Sequence, residues 1–277
     1  MNLKGILDIA GRSDTGRVRT QNEDSLGEDV QIGLVVLADG MGGYKGGEIA
    51  SSMTVDTIID QLRTTIPEIS PGEGDEDTNY SRESLAVRES ITKANENVYN
   101  AAQNQAQYHG MGTTLVMGVF YDNRITVAHI GDSRMYRFRN DRLEQITVDH
   151  TLLQELVDRG FYSPEEAKAS LNKNLVTRAL GIEHSVAIDI QELPIIPGDI
   201  YLLCSDGLND MIDDDDIASI LRLYEDNLDK KADHLISQAN AKGGRDNISV
   251  LLARPNVAFP SNQSWHQKVL DWLLTKK

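Results

Sequence analysis

The sequence predicts an α+β domain in which antiparallel sheets are flanked by helices. Short apolar runs rich in branched residues recur at Ile32–Ala38, Thr114–Tyr121, Arg124–Ile130, Arg134–Arg139, Asp199–Cys204 and Asn247–Ala253, with the length and composition of strands. Several are continuous rather than alternating, which suits strands buried on both faces or sheets covered by helices. The strands also arrive in adjacent groups, as over 114–139, rather than in strict alternation with helices, and this disfavours a doubly wound parallel sheet.

In chain order, the first strand is followed by helical patterns at Glu48–Thr64 and Ser84–Ala106. Between them, Ile66–Ser81 holds two prolines, two glycines and the acidic run Glu73-Gly74-Asp75-Glu76-Asp77, the composition of a solvated loop. Three strands come next, then helical patterns at Thr151–Arg159 and Pro164–Ser170. The second of these opens Ser163-Pro164-Glu165-Glu166, with a Ser N-cap, Pro at the first helical position and Glu three residues after the cap. The strand at Asp199–Cys204 precedes helical patterns at Asp215–Tyr224 and Lys230–Lys242, and the last strand closes the domain. Residues 1–254 are expected to form one domain. The tail over 255–277 carries Trp265, Val269, Trp272 and Leu273 at i, i+4, i+7 and i+8; it reads as a short amphipathic helix, either packed on the domain or docking a partner.

A chain of 277 residues with 40% hydrophobic content can bury a substantial core. Its net charge of −16 argues against nucleic acid and anionic membranes as partners. A phosphorylated partner must then be gripped by local positive charge. The only cysteine, Cys204, lies inside the run Ile200–Cys204, so no intrachain disulfide forms and the residue reads as a small buried strand side chain in a reducing compartment. No apolar stretch approaches the roughly 20 residues that span a bilayer, and the first residues lack a basic region followed by an apolar core. A cytoplasmic protein is expected, and a monomer, since no conspicuous apolar stripe precedes residue 265.

Five aspartates, Asp24, Asp39, Asp132, Asp206 and Asp246, each lie in a short polar stretch at the edge of a strand-like run. If the fold gathers those edges at one rim, the carboxylates meet. Two unit charges about 4 Å apart repel by roughly 4 kcal/mol at an effective dielectric near 20, so such a cluster takes up protons or holds cations. Oxygen ligands with water suit Mg²⁺ or Mn²⁺ rather than zinc. The polar segment 13–25 precedes a core-like strand and needs buried partners. The run Asp39-Gly40-Met41-Gly42-Gly43-Tyr44-Lys45-Gly46-Gly47 places an acid at a strand end before five glycines, which let backbone approach a cation closely. A nucleotide-phosphate cradle is disfavoured there: the G-x-x-x-x-G-K-[ST] pattern is missing, and Lys45 stands where G-x-G-x-x-G from Gly40 needs its last glycine. Gly131-Asp132-Ser133-Arg134, Ser205-Asp206-Gly207 and Gly244-Arg245-Asp246-Asn247 each read singly as a turn. Their joint occurrence in this order does not.

Taken with Arg19…Asn22-Glu23-Asp24-Ser25, Ala38-Asp39-Gly40-Met41-Gly42-Gly43 and Met111-Gly112-Thr113-Thr114, that order resembles the metal-dependent protein phosphatase (2C-type) family, especially its compact bacterial members, from about residue 8 to 253. The resemblance implies a four-layer α-β-β-α sandwich with a small flap subdomain over about 160–181 and a site for two Mn²⁺ or Mg²⁺ ions at one end. By motif, Asp24, Asp39 and the Gly40 carbonyl, with Asp206 and Asp246, ligate the pair. Asp132 helps to hold a third, weaker ion, and Glu23 and Asn247 act behind the ligands. Arg19 grips the phosphate, with Arg17 a competitor read otherwise as a solvated charge. The implied reaction is attack of a hydroxide bridging the two metals on phosphoserine or phosphothreonine in proteins, with Asp39 and Asp206 central to it. No protein nucleophile is needed, so Cys204 has no part.

Two departures accompany the likeness. Met41 stands where eukaryotic relatives often have histidine, which leaves leaving-group protonation open between His150, in Asp149-His150-Thr151, and water on a third metal; His150 otherwise reads as a hydrogen-bonded loop histidine. Ala169-Ser170-Leu171-Asn172 stands where many bacterial relatives have a His-Pro pair, while Val176-Thr177-Arg178-Ala179-Leu180-Gly181 fits the exit from the flap. The partners implied are phosphorylated proteins, including a serine/threonine kinase. A narrower form of the same enzyme would act on a phosphorylated anti-sigma antagonist in a stress switch, and a different class of function would be a phosphatase-like module that binds phosphoproteins without turnover.

Overall fold

Period-two burial along the central strands builds the layers. In the computed structural model, which describes residues 3–259 other than 44, 76, 164–165, 167–174 and 224–226, strand β3 (Leu34–Met41) sends Leu34, Val36 and Ala38 towards helices and Val35 and Leu37 towards the opposite sheet. Strand β10 (Ile200–Cys204) does the same from the other side: Ile200, Leu202 and Cys204 face helices, Tyr201 and Leu203 face inward. This is why the runs look continuously apolar. Both faces are covered, and each fully buried branched side chain contributes about 1.5–3 kcal/mol.

One sheet has the order β1-β11-β10-β7-β8, with β1 (Leu7–Asp14), β7 (Arg134–Arg139), β8 (Arg142–Gln145) and β11 (Ile248–Pro255). The other runs β2-β3-β5-β6-β9, with β2 (Asp24–Asp29), β5 (Leu115–Tyr121), β6 (Arg124–Ile130) and β9 (Asp189–Pro194); the short β4 (Gly112–Thr113) also pairs with β3. Every ladder between these strands is antiparallel. Helices α1 (Gly46–Thr65) and α2 (Arg82–Asn104) cover the second sheet through Val55, Ile58, Leu62, Val87 and Ile91. Helices α5 (Asp214–Arg222) and α6 (Leu228–Ala241) cover the first through Ile217, Leu221, Ala232 and Leu235. The four-layer sandwich is therefore present, with Phe120 and Tyr201 meeting edge to face at 5.4 Å between the sheets.

Helix starts follow their caps. Ser81 Oγ accepts the Ser84 N–H ahead of α2, Thr151 Oγ1 accepts that of Gln154 ahead of α3 (Leu152–Asp158), and Asp213 accepts that of Asp216 ahead of α5. Ser163 and Glu166 form the expected capping box: the Ser163 N–H donates to Glu166 Oε2 at 2.8 Å, and the Glu166 N–H donates to Ser163 Oγ at 3.2 Å. The rest of that expected helix, the Ala169–Asn172 departure and the Trp265 stripe lie outside the described residues. Among the described residues, no helix is long and apolar enough to cross a membrane.

Candidate metal centre

All five aspartates come to one end of the sandwich. Asp24 opens β2 and lies opposite Asp39 of β3 in the antiparallel ladder. Asp132 sits in the connection from β6 to β7, Asp206 follows β10 after Ser205 and opens a single helical turn, α4 (Asp206–Asn209), and Asp246 precedes β11. The registers Asp14 to Ile248, Cys204 to Val250, Cys204 to Arg134 and Leu115 to Ile130 bring these strand ends to the same rim. Three acids therefore come from the second sheet or its exit and two from the first.

The polar segment 13–25 finds its partners inside the protein. Asn247 Nδ2 donates to the carbonyls of Thr15 (3.0 Å) and Gln21 (2.9 Å), while its Oδ1 accepts the Glu23 N–H at 2.8 Å. Ser205 Oγ donates to Asp24 Oδ2 at 2.9 Å and accepts the Ser249 N–H at 3.0 Å. The Thr113 hydroxyl and the Thr114 N–H both donate to the Asp39 carbonyl at 2.8 Å. The glycines are where close approach demands them: a Cβ on Gly40 would lie 2.1 Å from the Gly47 carbonyl oxygen, and one on Gly207 would lie 2.0 Å from that of Asn247. Glu23, whose carboxylate accepts the Gly47 N–H at the start of α1, packs behind this contact.

Electrostatics within the cluster are unfavourable without a counter-charge. Burial pushes the Asp24 carboxyl up to about 6, against hydrogen bonds involving Ser249, Ser205 and Asp39 that hold it down. Asp39 is raised well above the ordinary carboxylate range, first by burial and then by Asp24, Asp206, Asp132 and Asp246. Asp206 is raised likewise by burial and by Asp132, Asp246 and Asp210, and Asp132 is pushed up to about 6 by burial and by Asp149. Asp24 Oδ1 is buried with no hydrogen-bond partner. A buried carboxylate oxygen left unpartnered beside four further acids suits a hard divalent cation. Arg19, half exposed, donates to Asp246 Oδ2 at 2.7 Å. Arg17 makes no such bond.

His150 is hydrogen-bonded within the protein. Its Nδ1 accepts the Gly131 N–H at 3.1 Å, which puts the ring proton on Nε2, facing Asp189 at 3.4 Å and close to the Arg178 guanidinium. The ring stacks on His129 at 4.6 Å, and burial lowers both histidines from their ordinary value. The His150 backbone accepts the Thr177 N–H at 2.8 Å and donates to the Gly131 carbonyl at 2.9 Å, so the residue ties Thr177 to the Asp132 loop. Sequence reasoning gave no role to Ser249, to Ser51, whose Oγ donates to the Glu23 carbonyl at 2.6 Å, or to His129. A lone Ser or His inside an apolar run gives no periodic signal, and only the three-dimensional pairing reveals such partners.

A helix-covered pair of antiparallel sheets with clustered carboxylates and an arginine at one rim defines a metal-assisted hydrolase of anionic esters. A family model described as Protein phosphatase 2C matches residues 14–241, and the chain belongs to this family. It is 37% identical over 250 residues to the serine/threonine phosphatase stp of Listeria welshimeri, spanning 89% of this chain and 95% of that protein. The crystal structure of the serine/threonine phosphatase PstP/Ppp of Mycobacterium tuberculosis superposes with a TM-score of 0.80 at 35% identity, covering 91% of this chain and 99% of that one. A structure of the PstP catalytic domain with two manganese ions superposes with a TM-score of 0.75 at 36% identity, covering 90% and 97%.

Proposed function

We propose that this chain is a metal-dependent protein phosphatase that hydrolyses phosphoserine and phosphothreonine in proteins. The observation that carries the reading is the buried aspartate cluster with an unpartnered Asp24 oxygen beside Arg19. Asp24, Asp39, the Gly40 carbonyl, Asp206 and Asp246 would hold two Mn²⁺ or Mg²⁺ ions, the pair seen as manganese in the related PstP domain, and Asp132 would help to hold a third. When bound, such a pair acidifies water for in-line attack on phosphorus and neutralises charge on the phosphoryl oxygens.

The chain's own groups do the rest. Asn247 and Glu23 hold the 15–23 loop in place, so Asp24 and Arg19 keep fixed positions relative to Asp246. Arg19 exchanges one oxyanion for another: an arriving phosphate competes with Asp246 for the guanidinium, and a charge-assisted contact of this kind contributes about 1.5–3 kcal/mol. Cys204 is fully buried with its thiol pushed up to about 12, which suits packing and not nucleophilic attack. In its finer form the reading is a monomeric cytoplasmic enzyme opposing serine/threonine kinases; the net charge of −16 supports the absence of nucleic-acid and membrane partners.

The test measures hydrolysis of p-nitrophenyl phosphate and of a phosphothreonine peptide with Mn²⁺, with EDTA, and by the Asp206→Asn variant with Mn²⁺. Turnover is expected only with metal and intact Asp206. Equal turnover in all three refutes the mechanism, and none in any arm leaves a phosphoprotein-binding module.

A further inference from the structure

In a protein of net charge −16, a cation without a partner is the exception. Most described arginines and lysines are ion-paired, from Arg12 with Asp229 and Asp233 to Arg254 with Asp8. Among the described residues, the cationic side chains with neither an ion pair nor a hydrogen bond are Arg17, Lys45, Arg88, Arg142 and Arg245, and Arg88 lies over the Tyr80 ring at 4.9 Å. Three of the remaining four, Arg17, Lys45 and Arg245, sit on the loops that lead into Asp24, leave the Asp39 strand and carry Asp246.

Arg17 and Arg245 share one backbone turn. The Arg17 N–H donates to the Gly244 carbonyl at 2.7 Å, and a Cβ on Gly244 would lie 2.9 Å from Arg17 Cγ, so the arginine stem rests on the Gly244 backbone. A Cβ on Gly243 would lie 3.7 Å from Arg245 Cγ. Glycine at 244 leaves room for the Arg17 stem to lie along the turn, while Arg245 precedes Asp246 by one residue. Arg19, by contrast, is already bound to Asp246. An exposed guanidinium held at its base keeps its five donors for a planar oxyanion that arrives from solution.

We propose that Arg17 and Arg245, with Lys45 on the loop that follows the Asp39 strand, form an anion subsite beside the reaction centre that reads an acidic group flanking the phosphorylated residue of the substrate protein. The inference rests on the phosphatase reading and adds to it a substrate class: phosphosites set among carboxylates or next to a second phosphate. Such a subsite also counters the repulsion that a chain this acidic imposes on an acidic partner, and its pull weakens with salt because the groups are exposed.

The experiment compares kcat/KM, with Mn²⁺, for three phosphothreonine peptides: one with neutral flanks, one with flanking glutamates, and one with a flanking non-hydrolysable phosphonate. p-Nitrophenyl phosphate, which has no flanks, is the control. Wild type is expected to prefer the anionic peptides by about fivefold or more, the scale of one or two exposed charge pairs. Arg17→Gln/Arg245→Gln is expected to lose that preference while retaining turnover of p-nitrophenyl phosphate, Lys45→Gln to reduce it, and 0.5 M KCl to shrink it roughly as the double variant does. Preference for the glutamate peptide alone assigns carboxylates as the ligand, and preference for the phosphonate alone assigns a second phosphate. Equal rates for neutral and anionic peptides in wild type, or a preference that survives in the double variant, overturns the subsite while leaving the phosphatase reading intact. Failure of wild type to hydrolyse any substrate with metal overturns both.

Discussion

Replacing Asp24 by asparagine should make the metal-free protein more stable while abolishing its activity. The folded state raises this carboxyl from 3.8 to about 6. At 1.36 kcal/mol per pH unit, an ionised Asp24 costs the fold about 3 kcal/mol. The sign is set by which state holds the proton more tightly. Below the unfolded value both states are protonated and nothing is lost; as pH rises the unfolded chain ionises first, and the cost is complete once pH exceeds about 6. Asp24→Asn keeps the volume and an acceptor for the Ser205 hydroxyl, but never ionises. In EDTA at pH 7.5 the variant should therefore melt about 6 °C or more above wild type, at roughly 2–4 °C per kcal/mol for a chain of this size. The gap should fall to about half by pH 5 and close only as pH drops below the unfolded value of 3.8, and saturating Mn²⁺ should reverse the order by stabilising wild type alone. Thermal melts across that pH range in EDTA and in Mn²⁺ read all three. A variant that melts below wild type in EDTA at pH 7.5, or a gap indifferent to pH, would refute the account of Asp24 as a buried, uncompensated charge.

Asn247→Ala removes two donors and one acceptor that hold the 15–23 loop. Calorimetric titration should show Mn²⁺ affinity weakened about 10- to 100-fold, as for other groups that orient ligands from behind. Gly40→Ala forces a Cβ to within 2.1 Å of the Gly47 carbonyl unless the backbone moves; Mn²⁺ titration should show at least a comparable loss, with far-UV circular dichroism near that of wild type. Cys204→Ala should leave kcat unchanged and cost about 1 kcal/mol in urea melts. Iodoacetamide should not inactivate the native enzyme, because the thiol is fully buried.

Which strands could be read from the sequence follows from where they lie in the sheets. The apolar runs located β3, β5, β6, β7, β10 and β11, all of them interior to their sheets. Apart from the two-residue β4, the strands that left no such signal are β1, β8, β2 and β9, which are the edge strands of the two sheets. Segments such as Asp24–Asp29 (DSLGED) and Arg142–Gln145 (RLEQ) are polar because an edge strand is half-solvated and carries charge that discourages edge-to-edge pairing. The acids of the site were legible as a set because each ends or begins a strand and sits in a distinctive local motif. Their partners were not: Ser249 reads as an unremarkable strand residue until Ser13 Oγ is found 2.7 Å from its hydroxyl, from a segment more than two hundred residues earlier. For His150, residue type alone left the tautomer open, and the bond from Gly131 places the ring proton on Nε2.

Asp206 and Asp246 hang from the first sheet, Asp24 and Asp39 from the second, and among the described residues no strand ladder joins the two sheets. The spacing between these two halves of the aspartate cluster is set by the side-chain bonds across the rim, Ser205 to Asp24 and Asn247 to Glu23, and by how the sheets sit on their apolar interlayer, through Leu203, Leu251, Val116 and Val35. Volume changes in that interlayer, remote from any charged atom, would act as a vernier on the distance between the halves. The oily middle of the sandwich is thus a dimension of the reaction centre, and variants selected for altered metal preference should accumulate there as readily as at the rim.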